Sequence, residues 1–414
     1  MNLKLEFNEK SWRDVVQWAM VLGIVTERYV ECLLIICLSA FLFLRERTFY
    51  LSKKSILFLV TIFLVSVVNI RLVDYPLSKL IQQMFFISIF TISYGNLFHI
   101  VVSDTGELFR KYLRVMVWVA WGAILQFVVW AITKFDIFAF IYGVERFREE
   151  AFRLHSIIDE PGFMVSLMLP AVVALVFSRE IREYIGFLGG FAILFAYVFS
   201  FATIGYFMLG LIFIVWIIRF LVSLSVKKIL FFTALIAITI GCVEILINDQ
   251  EDKYYLKTKI VDTFENIFSD DPYDFESLNS STYALLSNLW VARNAPHRFM
   301  GTGLGTHQYN YEFSEYLPSE KVIATIGKDE LNATDAYSIG VRVFSEFGWV
   351  GLVAIILWFI KFLYPRNIVN LGVAFYLVAM FLRGGHYFRY GFVFFIFLYI
   401  YSSARKELLV QCES

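Results

Sequence analysis

Apolar runs long enough to cross a bilayer recur along almost the whole chain, and they leave few folds open. A spanning helix needs roughly 20 mostly apolar residues. Runs of this character lie at 29–44, 55–70, 80–102, 113–133, 162–178, 185–200, 203–222, 228–247, 338–361, 367–382 and 388–403. The stretch VVQWAMVLGIV at 15–25 predicts either a twelfth span or an interfacial helix anchored by Trp12 and Trp18. Hydrophobic residues make up 59% of the 414, and charged ones only 17%. Soluble domains carry about 25% charged residues. The reading is all-α: a polytopic membrane bundle of 11–12 transmembrane helices, with one membrane domain over 1–414.

Charge orders the loops. Lys and Arg number sixteen in 45–54, 103–114, 178–184, 219–228, 361–368 and after 403, against three in 69–79, 201–202 and 383–387. The positive-inside rule makes the first set cytoplasmic. Net charge is zero, so there is no global basic signal for nucleic acid. Cys32, Cys37, Cys242 and Cys412 show no metal-ligand spacing, and no disulfide framework is expected. MNLKLEFNEKSWRD lacks the n-region and apolar h-region of a cleavable signal peptide.

This orientation puts two longer segments outside, 134–161 and 248–337. The second carries fifteen acidic and seven basic side chains. A connector of about 90 residues is long enough to expect either function or disorder. Tyr283, Leu285, Leu289 and Trp290 fall at helical spacing and predict a docking face. DDPYDFE (270–276) fits no EF-hand and reads as a solvated acidic turn. GTGLG (301–305) follows no strand, so it is no dinucleotide fingerprint. It predicts a tight turn or close backbone approach, with its amides facing an anion as a further expectation.

Arginines crowd the external ends. Arg146, Arg148 and Arg153 precede Glu160; Arg293 and Arg298 precede the glycines; Arg342 and Glu346 open a span; Arg383, His386 and Arg389 bracket the last external turn. Two readings stay open. Guanidinium forks bind phosphate oxygens in pairs, so these residues could clamp a lipid-linked phosphate. Alternatively they pair locally, as the i,i+4 spacing of Arg146–Glu150 and Arg342–Glu346 allows. His155 and His307 have no metal-ligand partners in sequence.

Three stretches add a resemblance. RLHSIIDEPGFMVSLMLPAVVAL (153–175), PHRFMGTGLGTH (296–307) and AYSIGVRVFSEFGWVGLVAIIL (336–357) are similar to motifs of the bacterial O-antigen polymerase and O-antigen ligase superfamily, including Wzy-type polysaccharide polymerases. The resemblance implies an inverting GT-C-type glycosyltransferase of the bacterial inner membrane, active at the periplasmic face, without metal or cofactor. Donor and acceptor would be undecaprenyl-pyrophosphate-linked oligosaccharides, and the product an O-antigen (lipopolysaccharide) or capsule chain. A chain-length regulator protein is a further expected partner. Arg153 matches the family's arginine before Glu-Pro. Arg148, Arg293, Arg298 and Arg383 join it as candidate pyrophosphate ligands. The catalytic base stays open among Glu160, Asp335 and His307. Tyr337-Ser338 stand where many members, ligases above all, have His-Asn, and Thr282-Tyr283 where the large-loop arginine is usual. The alternatives are a ligase that moves the glycan to another acceptor, and a lipid-linked oligosaccharide flippase or other transporter.

Overall fold

The computed structural model describes residues 9–26, 28–138, 153–158, 160–222, 266, 268–278, 280–314, 316, 319 and 332–404. The expected span at 228–247, together with Arg146, Arg148, Glu150, Asp159, Cys242 and Cys412, lies outside them. Among the described residues there is no strand. The helices are α1 (Glu9–Gly23), α2 (Arg28–Glu46), α3 (Lys53–Leu72), α4 (Ser78–Val101), α5 (Thr105–Thr133), α6 (Pro161–Phe177), α7 (Arg179–Phe199), α8 (Thr203–Val222), α9 (Ser280–Asn294), α10 (His307–Phe313), α11 (Ile339–Phe362), α12 (Ile368–Arg383) and α13 (Phe392–Ala404). Each expected run inside the described residues falls on one of them. Of these, α3, α4, α5, α7 and α11 are long and apolar enough to cross a membrane, which fits a multi-pass membrane protein. Four others, α6, α8, α12 and α13, are shorter and apolar.

Polar residues at the run boundaries set the helix starts. Ser52, Asp104, Ser178, Ser338 and Asn367 each accept a hydrogen bond from a first-turn N–H, satisfying one of the donors a helix leaves unpaired. Pro161 opens α6, where its missing N–H costs nothing.

The centre of the bundle is α6, nearly every side chain of which is buried from Met164 to Leu175. It packs antiparallel to α12, so that Glu160 at its start meets Arg383 at the other's end. Between lipid-solvated helices, close van der Waals packing rather than water exclusion supplies the attraction. Around this pair α3, α5, α7 and α11 turn Leu57, Leu64, Ile132, Leu188 and Leu357 outward as exposed apolar surface. Apolar exposure on this scale fits a multi-pass membrane protein.

α1 packs on the bundle and is not among the helices long and apolar enough to cross a membrane. It buries Trp12, Val16 and Met20, spaced four apart on one face. Trp18 stacks on Trp118 of α5 with ring centroids 5.6 Å apart. Gln17 donates to the Val101 carbonyl at 2.9 Å, and Lys111 reaches Asp14 at 2.5 Å.

The described part of the large loop folds over the end of the bundle. α9 has two working faces. Tyr283, Leu286 and Val291 join Phe275, Tyr311 and Tyr316 in a small core of the loop itself. Leu285, Leu289 and Ala292 pack instead on Ala336, Val341 and Phe344 at the start of α11. The acidic segment forms a capped 3-10 turn, Pro272–Ser277, with Asp271 accepting from Tyr273 N–H at 2.9 Å.

Candidate functional site

The glycine turn and α11 are spliced through their backbones. α11 breaks at Gly348, where φ is 60° and ψ −157°. Beyond the break, Trp349 and Val350 N–H donate to the carbonyls of Arg298 and Phe299, both at 3.2 Å. In return Thr302 and Gly303 N–H donate to the carbonyls of Ser345 and Glu346, at 3.3 and 2.7 Å. Contact is so close that a Cβ on Gly301 would lie 2.4 Å from the Glu346 oxygen, and one on Gly348 2.4 Å from that of Phe299. Both glycines also have positive φ, a conformation open to glycine at little cost. Gly301 and Leu304 N–H are taken by His297 O and Ser66 Oγ. GTGLG is therefore a close backbone approach. The expectation that its amides face an anion is corrected, because these four donors are already spent inside the protein.

Two polar networks behind this splice are sealed. His307, 1% exposed, bonds Ser345 Oγ through Nδ1 at 2.8 Å and Asn288 Oδ1 through Nε2 at 2.9 Å. Burial, helped by the charge on Arg342, lowers its pKa to about 3 against the opposing pull of Asp335. The second network is in α11, where Arg342 and Glu346 pair at 2.9 Å with almost no exposure. Arg342 also donates to Gly385 O at 3.2 Å, and Tyr387 hydroxyl donates to Glu346 at 2.9 Å. Local pairing thus accounts for Arg342, and it ties the 384–391 turn to α11.

A third group of side chains stays open. Glu160 is the N-cap residue of α6, yet its carboxylate makes no cap bond. It accepts instead from Arg383 Nη2 at 2.9 Å, with the two side chains 31% and 28% exposed. The Arg383 guanidinium lies 3.8 Å over the Tyr337 ring. Tyr337 hydrogen-bonds Ser281 and feels the charges of Arg383, Glu160 and Arg153; burial, the strongest influence, raises its pKa. Ala336 and Tyr337 both have positive φ, at 58° and 61°. Such strain costs on the order of 1–3 kcal/mol per residue and concentrates at functional sites.

Beside Tyr337, Asp335 accepts from its backbone N–H at 3.1 Å, from Asn332 Nδ2 at 3.0 Å and from His386 Nε2 at 3.0 Å. Burial would raise the Asp335 carboxyl, but the His386 bond and charge outweigh it and hold it well below the usual carboxylate range.

The segment at 153–163 divides its labour. His155 is anchored by Asp136 at 2.9 Å and by the Ile158 carbonyl at 2.8 Å. Gln126 Oε1 accepts from the backbone N–H of both His155 and Ser156. These buried bonds fix the segment against α5. Arg153 remains exposed at the surface, its Nε 3.4 Å from Ser200 O.

The structure thus gathers Glu160, Arg383, Asp335 and Arg153 around Tyr337. It places His307 in a sealed network. Arg293 bonds exposed Asp270 at 3.5 Å, and exposed Arg298 bonds Asn294 at 3.3 Å, both engaged on their own stretch of the loop. Arg148 lies outside the described residues. Tyr337 and His386 complete the cluster; in the sequence His386 shows only as part of the charged last external turn and Tyr337 only as a departure from the family pattern. The chain matches no protein-family model and no curated protein.

Proposed function

We propose that the protein is a membrane-embedded glycosyltransferase that polymerises oligosaccharide repeat units carried on undecaprenyl pyrophosphate. The observation that carries this reading is the half-open Arg383–Glu160 pair beside Tyr337, whose ring Arg383 stacks on and which also feels the charge of Arg153. Three segments far apart in sequence meet there, at the end of a bundle whose outer wall is apolar. The positive-inside count makes this the periplasmic end.

In this reading the donor sugar leaves a pyrophosphate. Charge grows on that leaving group as the glycosidic bond breaks, so cations fixed beforehand stabilise the transition state more than the ground state. Arg383 is held in place by Glu160 and the Tyr337 ring while about a quarter of its side chain stays open to a ligand. Arg153 supplies a second guanidinium. Glu160 is then an orienting residue and not the base. The acceptor hydroxyl of a second carrier-linked unit attacks the anomeric carbon from the opposite face, which inverts it. The carrier's lipid tail stays in the membrane, and the sugars meet under the loop formed by α9, α10 and 332–338.

A deletion of this gene in its native host, complemented with wild type, Arg383→Gln or Arg153→Ala, tests the reading. Wild type is expected to restore a ladder of long surface chains on a gel, and each variant present in the membrane to leave single repeat units. Normal long chains retained on the carrier in the deletion strain would make the protein a ligase. Repeat units trapped on the cytoplasmic side would make it a transporter.

A further inference from the structure

We infer that His386, oriented by Asp335, is the base that takes the proton from the attacking sugar hydroxyl. This rests on the glycosyltransferase reading above and assigns the role that reading leaves empty. Geometry narrows the candidate bases to it. His307 has both ring nitrogens bonded and 1% exposure. His155 is closed off by Asp136 and Ile158. Glu160 is committed to Arg383. His386 alone among these has one nitrogen on a carboxylate, at 3.0 Å, and 16% of its side chain exposed.

The tautomer follows from the partners. Asp335 is held ionised by three donors, so it accepts, and Nε2 carries the hydrogen. The lone pair is left on Nδ1, which bonds none of the described residues. The charged groups facing His386 are Asp335 from the segment before α11, Arg389 from its own turn and Arg342 from α11. Burial above all, with the two arginines, lowers its pKa against the pull of Asp335. It is therefore neutral near pH 7 and able to accept a proton.

The step balances. The acceptor oxygen forms a bond to the anomeric carbon, and the bond from that carbon to the pyrophosphate oxygen breaks with its electron pair leaving on the pyrophosphate. The hydroxyl proton passes to Nδ1 of His386, and the imidazolium formed is stabilised by Asp335 before it returns the proton to water. Asp335 is a positioning residue. It fixes ring orientation and tautomer without touching substrate.

The test uses purified full-length protein in nanodiscs, with carrier-linked repeat units extracted from the deletion strain, and follows the rate of chain elongation against pH. Wild-type rate is expected to fall as pH drops through the lowered pKa of His386, because the protonated ring cannot accept. His386→Gln should lose about 10²–10⁴-fold and show no such acid limb. Asp335→Asn should slow the reaction and move the acid limb to lower pH, since the carboxylate that raises the His386 pKa is gone; a merely structural role would not move it. If His386→Gln does not reach the membrane folded, the shift in Asp335→Asn decides. Folded His386→Gln within tenfold of wild type, or an acid limb unmoved by Asp335→Asn, overturns the assignment and leaves the polymerase reading standing. Wild type that elongates nothing overturns both.

Discussion

His307 and His386 both lie within electrostatic reach of Arg342 and Asp335, yet their surroundings differ in kind. Around His307 each nitrogen has a partner in the fold, Ser345 on one side and Asn288 on the other. Around His386 one nitrogen is bonded and part of the ring is open. The same contrast separates two arginines. Arg342 is enclosed with Glu346, Gly385 O and Tyr387, whereas Arg383 shares a half-open pair with Glu160. Polar side chains at the end of a membrane bundle thus do two jobs. Those fully bonded from within hold loops and turns in place, and those only partly bonded can still receive a ligand.

Substitutions in the sealed set should cost stability. The largest effect is expected from Glu346→Ala, which strands a buried guanidinium at a cost of about 3–5 kcal/mol. Little folded protein should survive detergent extraction, as read by size-exclusion chromatography after a heating series. His307→Ala comes next. It leaves Asn288 and Ser345 short of a partner, worth about 1–3 kcal/mol, with elongation rate per folded molecule unchanged.

The same histidine predicts a pH dependence. Its imidazole takes a proton near 6.5 when unfolded but only near 3 when folded. Its stabilising contribution is therefore complete above 6.5 and lost as pH falls toward 3. His307→Gln should flatten the acid side of a plot of unfolding temperature against pH.

In the open set the order reverses. Arg383→Gln should cost less than about 1 kcal/mol of stability, as partly exposed ion pairs do, yet abolish long chains. Smallest of all is Arg293→Ala. Its partner Asp270 is 97% exposed, so a change of well under about 1 kcal/mol and unchanged chain length are expected. Loss of chain length in folded Arg293→Ala would break the division between the two sets.

How much of this is legible in the sequence depends on range. The apolar runs give nearly every described helix, because a bilayer-length stretch has few other uses, and the cap residues sit at their boundaries. Glu160-Pro161 marks the start of α6 and Arg153 its approach. The large loop's helix follows from the spacing of Tyr283, Leu285, Leu289 and Trp290, but their single docking face does not: Tyr283 and Trp290 turn to the loop's own core, and Leu285 and Leu289 to the start of α11. What sequence does not carry is the pairing of Glu160 with Arg383, which lie 223 positions apart. Nor does it carry the choice between His307 and His386, because the partners of both come from distant positions in the chain. Tyr337 stood out only as a departure from a family pattern, whereas in the fold it is the ring on which Arg383 rests. Arg293 and Arg298 lie near GTGLG in sequence but are engaged on their own stretch of the loop. The backbone splice of that turn to α11 is a long-range fact that no local spacing announces.

The central claim is that the open cluster transfers sugar off a pyrophosphate carrier, and one measurement reaches it most directly. Purified protein in nanodiscs is given carrier-linked repeat units extracted from the deletion strain, and both products are quantified together. The account predicts one free undecaprenyl pyrophosphate released for every repeat unit added to a chain, and neither product with folded Arg383→Gln. Chain growth without release of the carrier pyrophosphate, or equal yields from wild type and Arg383→Gln, would contradict it.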